Sequence, residues 1–243
     1  MNMKQKQIKI LLVIAISANI SAFSQISSGQ DFKPVSQNML NNPDPEDWLM
    51  WRGNYENWGY SPLTEINQDN VDQLRLAWSW EFAPAAPGSN GMQVEPTVYD
   101  GIIYIRHSNE KYSAHNAATG DLIWQYSRTL ALEVAGYETR LTVHRGRGVF
   151  IYEDKLISHS TDGMLFALNP RDGSLIWEVA MQDFRSGQQP SGAPVAYGGS
   201  LVVPYNCTAW TAPDPCHLSA YSTEDGSLLW RWFTSPTPED PMH

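Results

Sequence analysis

The chain has 243 residues, a formal net charge of −10 and 42% hydrophobic residues, which is sufficient for a packed core. It carries 26 acidic residues against 16 basic ones and has no basic stripe, so the composition argues against a nucleic-acid partner. Ten tryptophans and eleven tyrosines in so short a chain are typical of a repeat protein whose sheets interlock through aromatic side chains.

The N-terminus has the pattern of a secretory signal. Lysines precede an apolar run at residues 10–16 that is too short to span a bilayer, and a small-x-small triplet at 22–24 closes it. We expect residues 1–24 to be a signal peptide cleaved before Gln25, which implies a periplasmic or secreted protein; the alternative is a retained N-terminal membrane anchor. Residues 25–46 have no hydrophobic periodicity and are predicted to be a flexible lead-in.

An aromatic segment, residues 47–78, follows this lead-in. It is rich in Trp and Tyr and is predicted to pack as a lid on the domain that follows. Asn70 is predicted to be the N-cap of a short turn, and Trp78 is predicted to open a strand.

One motif recurs three times at a constant spacing of 53 residues: an Ala, a polar turn closed by Gly, and an apolar strand with Trp. The copies span residues 114–124, 167–177 and 220–230. A fixed period of this size indicates stacked units of one supersecondary kind. The Gly supplies the positive φ of the turn, and the Trp is predicted to fill the gap between neighbouring sheets, opposite the small Ala. We therefore predict blades of a β-propeller, with the three tryptophans in equivalent interior positions.

Alternating apolar strands flank Asp-Gly or Gly-Gly turns near each copy, and such turns are strong hairpin signals. These turns are Asp100-Gly101, Asp162-Gly163 and Gly198-Gly199. No stretch with helical period exceeds two turns. The predicted fold class is therefore all-β, a partial β-propeller of about three to four blades over residues 47–243.

Other patterns of catalytic or metal-binding residues are absent from the sequence. The histidines show no metal-ligand spacing with cysteine or carboxylates, and the chain lacks a Gly-x-Ser-x-Gly elbow and a phosphate-binding Gly-rich loop. The two cysteines, Cys207 and Cys216, either form a disulfide or stay free.

The repeat, Ala-x-(Asp/Asn)-x-x-(Thr/Asp)-Gly-x-x-x-Trp, resembles the tryptophan-docking motif of the quinoprotein dehydrogenases, whose complete members are eight-bladed propellers carrying pyrroloquinoline quinone (PQQ). The aromatic segment is more specific. Its Trp-Arg pair, its Tyr-x-x-Trp-x-Tyr-Ser-x-Leu run and its Ile-Asn-x-x-Asn-Val-x-x-Leu run resemble the N-terminal region of methanol/ethanol-type enzymes. The resemblance covers residues 47–243, and because complete members are much longer it implies an N-terminal part.

The resemblance implies three cofactor contacts. Arg145 matches the family arginine that holds a PQQ carboxylate, a role that suits its planar fork of donors. Ser191 stands where the family has a Thr whose hydroxyl contacts the quinone, and Gln93 stands where the family has Gln or Glu near the cofactor. For each of them the alternative is a structural role in its strand or strand end.

The chain also departs from the family. Thr139-Arg140 occupies the place of two adjacent cysteines, and the third repeat lacks the family Glu that binds Ca²⁺ or a lanthanide. Between Leu201 and Ala220, where the family has that Glu, the only carboxylate is Asp214, with Asn206 as a neutral oxygen ligand, so the metal ligands are unassigned. The family's general base and stacking Trp would lie beyond His243, so we assign no catalytic residue.

The predicted function is the N-terminal part of an exported PQQ-dependent dehydrogenase of alcohol type, with Ca²⁺ or a lanthanide as the implied metal. The implied partners are a small-molecule alcohol or sugar substrate and a cytochrome or quinone electron acceptor. We expect the chain alone to be inactive, because about three blades cannot close a ring. The alternative is a non-enzymatic periplasmic propeller that binds other envelope proteins.

Overall fold

A computed structural model describes residues 32–81, 94–107, 110–130, 147–182, 188–190, 192–207 and 216–234. The described chain folds into three antiparallel sheets in which consecutive strands pair, which confirms the all-β prediction. Blade one contains β1 Thr97–Tyr99, β2 Ile102–Arg106, β3 Lys111–Asn116 and β4 Leu122–Ser127. Blade two contains β5 Phe150–Tyr152, β6 Lys155–His159, β7 Met164–Leu168 and β8 Leu175–Ala180. Blade three contains β9 Gln188–Pro190, which pairs with β11, and the meander β10 Val195–Tyr197, β11 Ser200–Cys207, β12 His217–Ser222 and β13 Leu228–Phe233. None of the helices in these ranges has the length and apolar character needed to cross a membrane.

The predicted hairpins are confirmed. Asp100 and Gly101, which join β1 to β2, have φ of 49° and 71°, as a two-residue hairpin turn requires. Gly198 and Gly199 join β10 to β11 with φ of 56° and 79°. These turns set the register of the inner strand pairs.

The first strands of the three blades lie close together. A parallel bridge joins Glu95 to Gly148, and Thr97 Oγ1 donates to the Val149 carbonyl at 2.7 Å. β5 also contacts β10. The first strands therefore line the inner side of an arc of blades, which is the predicted partial propeller.

Because each blade is an antiparallel meander, its loops fall on two opposite rims. The long-loop rim holds the starts of the first strands, the ends of the second strands and the connections between blades. The hairpin rim holds the short turns after the first and third strands. The repeated glycines lie on the hairpin rim, whereas the residues that precede the first strands belong to the long-loop rim.

The repeated tryptophan of one blade packs on the repeated glycine of the next. A Cβ on Gly173 would lie 2.5 Å from Trp124 Cε3, and one on Gly226 would lie 2.8 Å from Trp177 Cε3. Within its own sheet each tryptophan faces the repeat alanine. The pairs are Ala114 with Trp124, Ala167 with Trp177 and Ala220 with Trp230. The glycine thus has a second role beyond its φ, since only a hydrogen atom fits beneath the indole.

The prediction of equivalent environments for the three repeat tryptophans is wrong for the third. Trp124 is 7% exposed, and its Nε1 donates to the Pro170 carbonyl at 2.8 Å. Trp177 is partly buried, but Trp230 is 45% exposed. The reason is that a following blade covers Trp124 and Trp177, whereas no blade within the described ranges covers Trp230.

Trp78 takes the corresponding position on blade one. A Cβ on Gly120 would lie 2.7 Å from Trp78 Cδ2, and Trp78 Nε1 donates to the Ala117 carbonyl at 2.9 Å. The prediction that Trp78 opens a strand is wrong, because residues 74–81 are irregular. Asn70 does precede a 3₁₀ turn, Val71–Gln73, but its side chain makes no capping hydrogen bond there.

Residues 32–59, the N-terminal strap, bind the inner hairpins of all three blades. The contacts, one for each blade, are Tyr99 Oη to the Lys33 carbonyl (2.7 Å), a bridge between Val35 and Glu153, and Gly198 N to Gln37 Oε1 (2.8 Å). The sequence assigns 25–46 to a flexible lead-in, whereas 32–46 contains a short helix, α1 Gln37–Asn41, with Leu40 fully buried. The strap is held by contacts with hairpins that are distant in the chain, and such contacts produce no periodic pattern in its own sequence.

Replacing Leu40 with Ala is expected to lower the free energy of unfolding by about 2–5 kcal/mol, the usual cost of emptying a buried leucine site. Urea denaturation followed by tryptophan fluorescence measures this loss. Asn38→Ala, on the exposed side of the same helix, should change stability by less than about 0.5 kcal/mol. Equal effects of the two substitutions would show that the strap is not part of the core.

Candidate functional site

The three predicted cofactor contacts precede, in the chain, the first strands of the three blades. These residues lie outside the described ranges and stay predictions: Gln93, Arg145 and Ser191. Each is followed, within three residues, by a described residue at the start of a first strand: Glu95, Gly148 and Gly192. The contacts of this second set define the geometry of the candidate site.

The Glu95 carboxylate holds the aromatic segment against blade one. Its Oε1 accepts hydrogen bonds from Trp48 Nε1 and, at 2.9 Å, from Arg52 N. The Arg147 guanidinium, at the start of blade two, lies 5.4 Å from the Trp51 ring centroid, within cation–π range. The aromatic segment is therefore fixed at the starts of both β1 and β5.

Gly148 brings the backbones of blades one and two into direct contact. Its φ is +116°, and a Cβ there would lie 2.6 Å from the Glu95 carbonyl oxygen. Only glycine tolerates both this conformation and this approach. The chain positions that follow Gln93 and Arg145 are consequently neighbours on the rim.

Blade two also binds the start of blade three. His159 Nε2 lies 2.9 Å from the Gly192 carbonyl, and His159 is 2% exposed. Because a carbonyl oxygen only accepts, the proton of this hydrogen bond is on Nε2. The starts of the three first strands are thus joined in series by contacts between blades.

A buried ion pair lies at the same rim, between blades one and two. Arg106 Nη2 is 3.1 Å from Glu110 Oε1, and both side chains are buried. Glu110 also accepts from Tyr112 Oη at 2.9 Å, and from Thr161 N and Oγ1 of blade two at 3.0 and 2.6 Å. Burial would raise the pKa of Glu110, but the Arg106 guanidinium and these hydrogen bonds hold it below its usual value. Glu110 is an ionised link between two blades.

Two histidines near this rim are held neutral. Burial, together with the charge of Arg106, lowers the pKa of His159 to about 3. Burial, together with His115 and Lys111, lowers the pKa of His107 to about 4. In the unfolded chain a histidine titrates near about 6.5.

This difference predicts a dependence of stability on pH. Unfolding takes up a proton at each of these two histidines when the pH lies between the folded and unfolded pKa values. The contribution of His159 to the free energy of unfolding is expected to be fully present above about pH 6.5 and to fall by roughly 1.4 kcal/mol per pH unit as the pH drops towards its folded pKa of about 3. His107 is only partly buried, so it should add a smaller loss. Urea denaturation at several pH values measures the slope. His159→Gln should remove the contribution of one proton, and an unchanged slope would contradict the assignment.

No metal centre is evident in the part of the chain that the structure describes, which contains no cluster of three or more His, Cys, Asp or Glu suited to an ion. The oxygen ligands that the sequence offers, the Asn206 side chain and Asp214, lie outside that part. Cys216 is disulfide-bonded, and the only other cysteine of the chain is Cys207. The calcium or lanthanide site stays a prediction from the resemblance.

No motif in the sequence marks Glu95, Arg106, Glu110 or His159 as functional. The repeat register contains one usable signal, since Arg106 and His159 are one 53-residue period apart, at the ends of β2 and β6. A polar residue at the end of a strand is ordinarily solvated. That these two are 5% and 2% exposed depends on the neighbouring blade.

Comparison with known proteins gives an independent result. Residues 48–243 match the family model for the PQQ β-propeller domain of glucose/ethanol/alcohol dehydrogenases. The dehydrogenase subunit of alcohol dehydrogenase (quinone) from Gluconobacter oxydans (strain 621H) is 30% identical over 244 residues, covering 98% of this chain and 31% of that protein. The chain therefore spans about a third of the length of the curated relatives that it matches.

Solved structures agree with the sequence match. The quinohemoprotein alcohol dehydrogenase ADHIIG from Pseudomonas putida HK5 superposes with a TM-score of 0.72 and 27% identity, over 84% of this chain and 30% of that one. A europium-containing methanol dehydrogenase, at 24% identity, shares the fold with a TM-score of 0.68 over 84% of this chain and 34% of that one. These matches confirm the resemblance of the repeats and of the aromatic segment. The chain belongs to the family of the PQQ β-propeller domain of glucose/ethanol/alcohol dehydrogenases.

Proposed function

We propose that this chain forms part of a PQQ-dependent alcohol dehydrogenase and that its long-loop rim holds one edge of the cofactor. The observation that carries the proposal is the joining of Glu95, Gly148 and Gly192 at one rim, one to three residues after the three predicted contacts. Family membership supports PQQ as the cofactor. The alcohol dehydrogenase relatives support an alcohol as the substrate class.

The described rim has one feature that suits an anionic ligand. Arg106 carries a buried Nη1 that has no partner in the described part. A planar tricarboxylate needs cations and hydrogen-bond donors at its edge.

Arg145 would bind a carboxylate of the cofactor with its guanidinium fork, and Ser191 and Gln93 would donate hydrogen bonds to its oxygens. When bound, PQQ supplies an acceptor for two electrons from the C–H bond beside the substrate hydroxyl. The chain's own contribution would be to bind and orient that ring at the long-loop rim, where Glu95 and Arg147 also fix the aromatic segment. No residue is assigned to Ca²⁺ or a lanthanide, since the described residues include no cluster of three or more His, Cys, Asp or Glu suited to an ion.

The proposal extends to the setting of the protein. The signal-like pattern of residues 1–24 supports export to the periplasm. The relatives named quinohemoprotein alcohol dehydrogenases support transfer of electrons to a cytochrome or quinone.

We further propose that the three described blades alone do not oxidise alcohols. Trp230 and Trp232 on the outer face of blade three are 45% and 62% exposed, whereas the equivalent Trp124 is buried, so no sheet among the described residues covers this face. Exposed apolar faces of this kind drive association rather than catalysis. With PQQ, Ca²⁺ and ethanol added, we expect negligible dye reduction by the purified chain, and robust turnover would contradict this part of the proposal.

PQQ binding is the direct test of the proposed function. Titration of the chain, followed by quinone absorbance, should show saturable binding, and Arg145→Ala should weaken it by about 1.5–3 kcal/mol, the usual value of a hydrogen bond to a charged group. Arg171→Ala is the matched control, because Arg171 lies over the Phe32 ring in the β7–β8 turn on the hairpin rim, and PQQ affinity should be unchanged. Absence of binding by the wild-type chain would contradict the proposal and favour the non-enzymatic alternative.

A further inference from the structure

The end of strand β6 carries two consecutive buried polar residues, Ser158 and His159, which are 1% and 2% exposed. Apolar residues precede them in the same strand, with Leu156 and Ile157 also buried. Successive side chains of a strand point to opposite faces of the sheet. Ser158 and His159 therefore reach towards different neighbouring blades.

Each of the two side chains binds a backbone carbonyl at the start of a first strand. Ser158 Oγ donates to the Gly148 carbonyl at 3.3 Å, on the side where Gly148 meets Glu95 of blade one. His159 Nε2 donates to the Gly192 carbonyl of blade three at 2.9 Å. The first carbonyl lies three residues after Arg145, and the second belongs to the residue that directly follows Ser191.

The strand end that carries the two side chains is itself fixed from blade one. Tyr112 Oη lies 3.3 Å from the His159 carbonyl, and Glu110 binds Thr161, two residues further along the chain. Moreover, His159 Nδ1 is buried and has no hydrogen-bond partner in the described part. The imidazole is therefore buried with only its Nε2 hydrogen-bonded. Retaining such a ring in the core has a free-energy cost, which indicates a role beyond packing.

We propose that Ser158 and His159 are positioning residues for the cofactor rim: they hold the backbone at Gly148 and Gly192, on which binding of PQQ at this rim depends. This inference rests on the proposed function, because the purpose of the rim is taken from it. The hydrogen bonds themselves are independent of the cofactor. The two can therefore be tested apart.

The test compares His159→Leu, which removes the donor, with His159→Gln, whose amide can still donate to the Gly192 carbonyl. By amide hydrogen exchange without cofactor, His159→Leu should raise exchange over residues 192–197 by about fivefold, and His159→Gln should stay within about twofold of wild type. Ser158→Ala is a milder variant that should raise exchange over residues 148–150 by about two- to fivefold. Unchanged exchange in both His159→Leu and Ser158→Ala would overturn the proposal.

The second readout is the PQQ dissociation constant of the same chains. We expect it to rise by about five- to tenfold in His159→Leu and to be restored by His159→Gln. Leu156→Ala, a buried apolar substitution in the same strand, controls for lost stability. At a temperature where the folded fractions of Leu156→Ala and His159→Leu are equal, the PQQ affinity of Leu156→Ala should match that of the wild type. An equal loss of affinity in Leu156→Ala, or a local rise in exchange in His159→Leu without loss of affinity, would overturn the positioning role. If the wild-type chain binds no PQQ, the proposed function is wrong. The exchange experiment needs no cofactor, so in that case it still shows whether Ser158 and His159 hold the backbone at Gly148 and Gly192.

Discussion

Replacing Gly173 with Ala is expected to destabilise the chain by about 3 kcal/mol. The φ of Gly173 is +72°, where an alanine costs about 1 kcal/mol or more. In addition, its Cβ would lie 2.5 Å from Trp124 Cε3, so the indole must leave its place between blades one and two. Overpacking of this kind costs about 1–3 kcal/mol. Urea denaturation followed by tryptophan fluorescence measures the sum.

Gly101 provides a matched control for this substitution. Its φ is +71°, but no atom lies within 4 Å of the position that a Cβ would occupy. Gly101→Ala should therefore cost only the backbone term, about 1 kcal/mol. The difference between the two variants isolates the contact between the indole and the glycine. Equal losses of stability in Gly101→Ala and Gly173→Ala would show that the packing of Trp124 does not require a glycine at position 173.

Replacing Glu110 with Gln is expected to cost about 3 kcal/mol, because the Arg106 guanidinium then stays buried without a counter-charge. The substitution keeps the size of the side chain and leaves an amide oxygen in place of Oε1 to accept from Thr161. Tyr112 Oη loses its acceptor Oε2 but still lies 3.3 Å from the His159 carbonyl. Most of the loss should therefore come from the charge. The measurement is again chemical denaturation at neutral pH.

The double variant Arg106→Met/Glu110→Gln should be more stable than Glu110→Gln alone, because it removes the uncompensated cation. Asp154→Asn is the surface control. Asp154 pairs with Lys155 but is about half exposed, so its loss should cost less than about 1 kcal/mol. A cost below about 1 kcal/mol for Glu110→Gln would mean that the buried pair does not link the blades.

Local turn chemistry was accessible from the sequence because the residues that determine it are neighbours in the chain. Asp100-Gly101 and Gly198-Gly199 predict hairpins since their φ values suit such turns, and the structure has both. The pairing of Ala114 with Trp124 likewise follows from one strand, one turn and the next strand. Recognition of the family rests on this same short-range pattern, repeated every 53 residues.

The candidate site was only partly accessible from the sequence. The resemblance names Arg145, Ser191 and Gln93, but it does not name the residues that join the rim. Arg106 and His159 look like ordinary strand ends in the sequence. Arg106 is buried against Glu110 of its own blade, which also binds Thr161 of blade two. His159 is enclosed by Tyr112 of blade one and Gly192 of blade three.

The sequence by itself determined the strands, the turns, the blade period and the family, all of which depend on contacts within a few residues to a few tens of residues. The tertiary structure alone decided which equivalent positions of the repeat have the same burial. Trp124 is buried and Trp230 is exposed, although their local sequences match, because burial depends on whether another sheet lies opposite. It also decided the course of the strap, whose Gln37 binds Gly198 across a separation of 161 residues. A contact over such a separation leaves no periodic pattern in the chain, since neither partner's sequence neighbours constrain it.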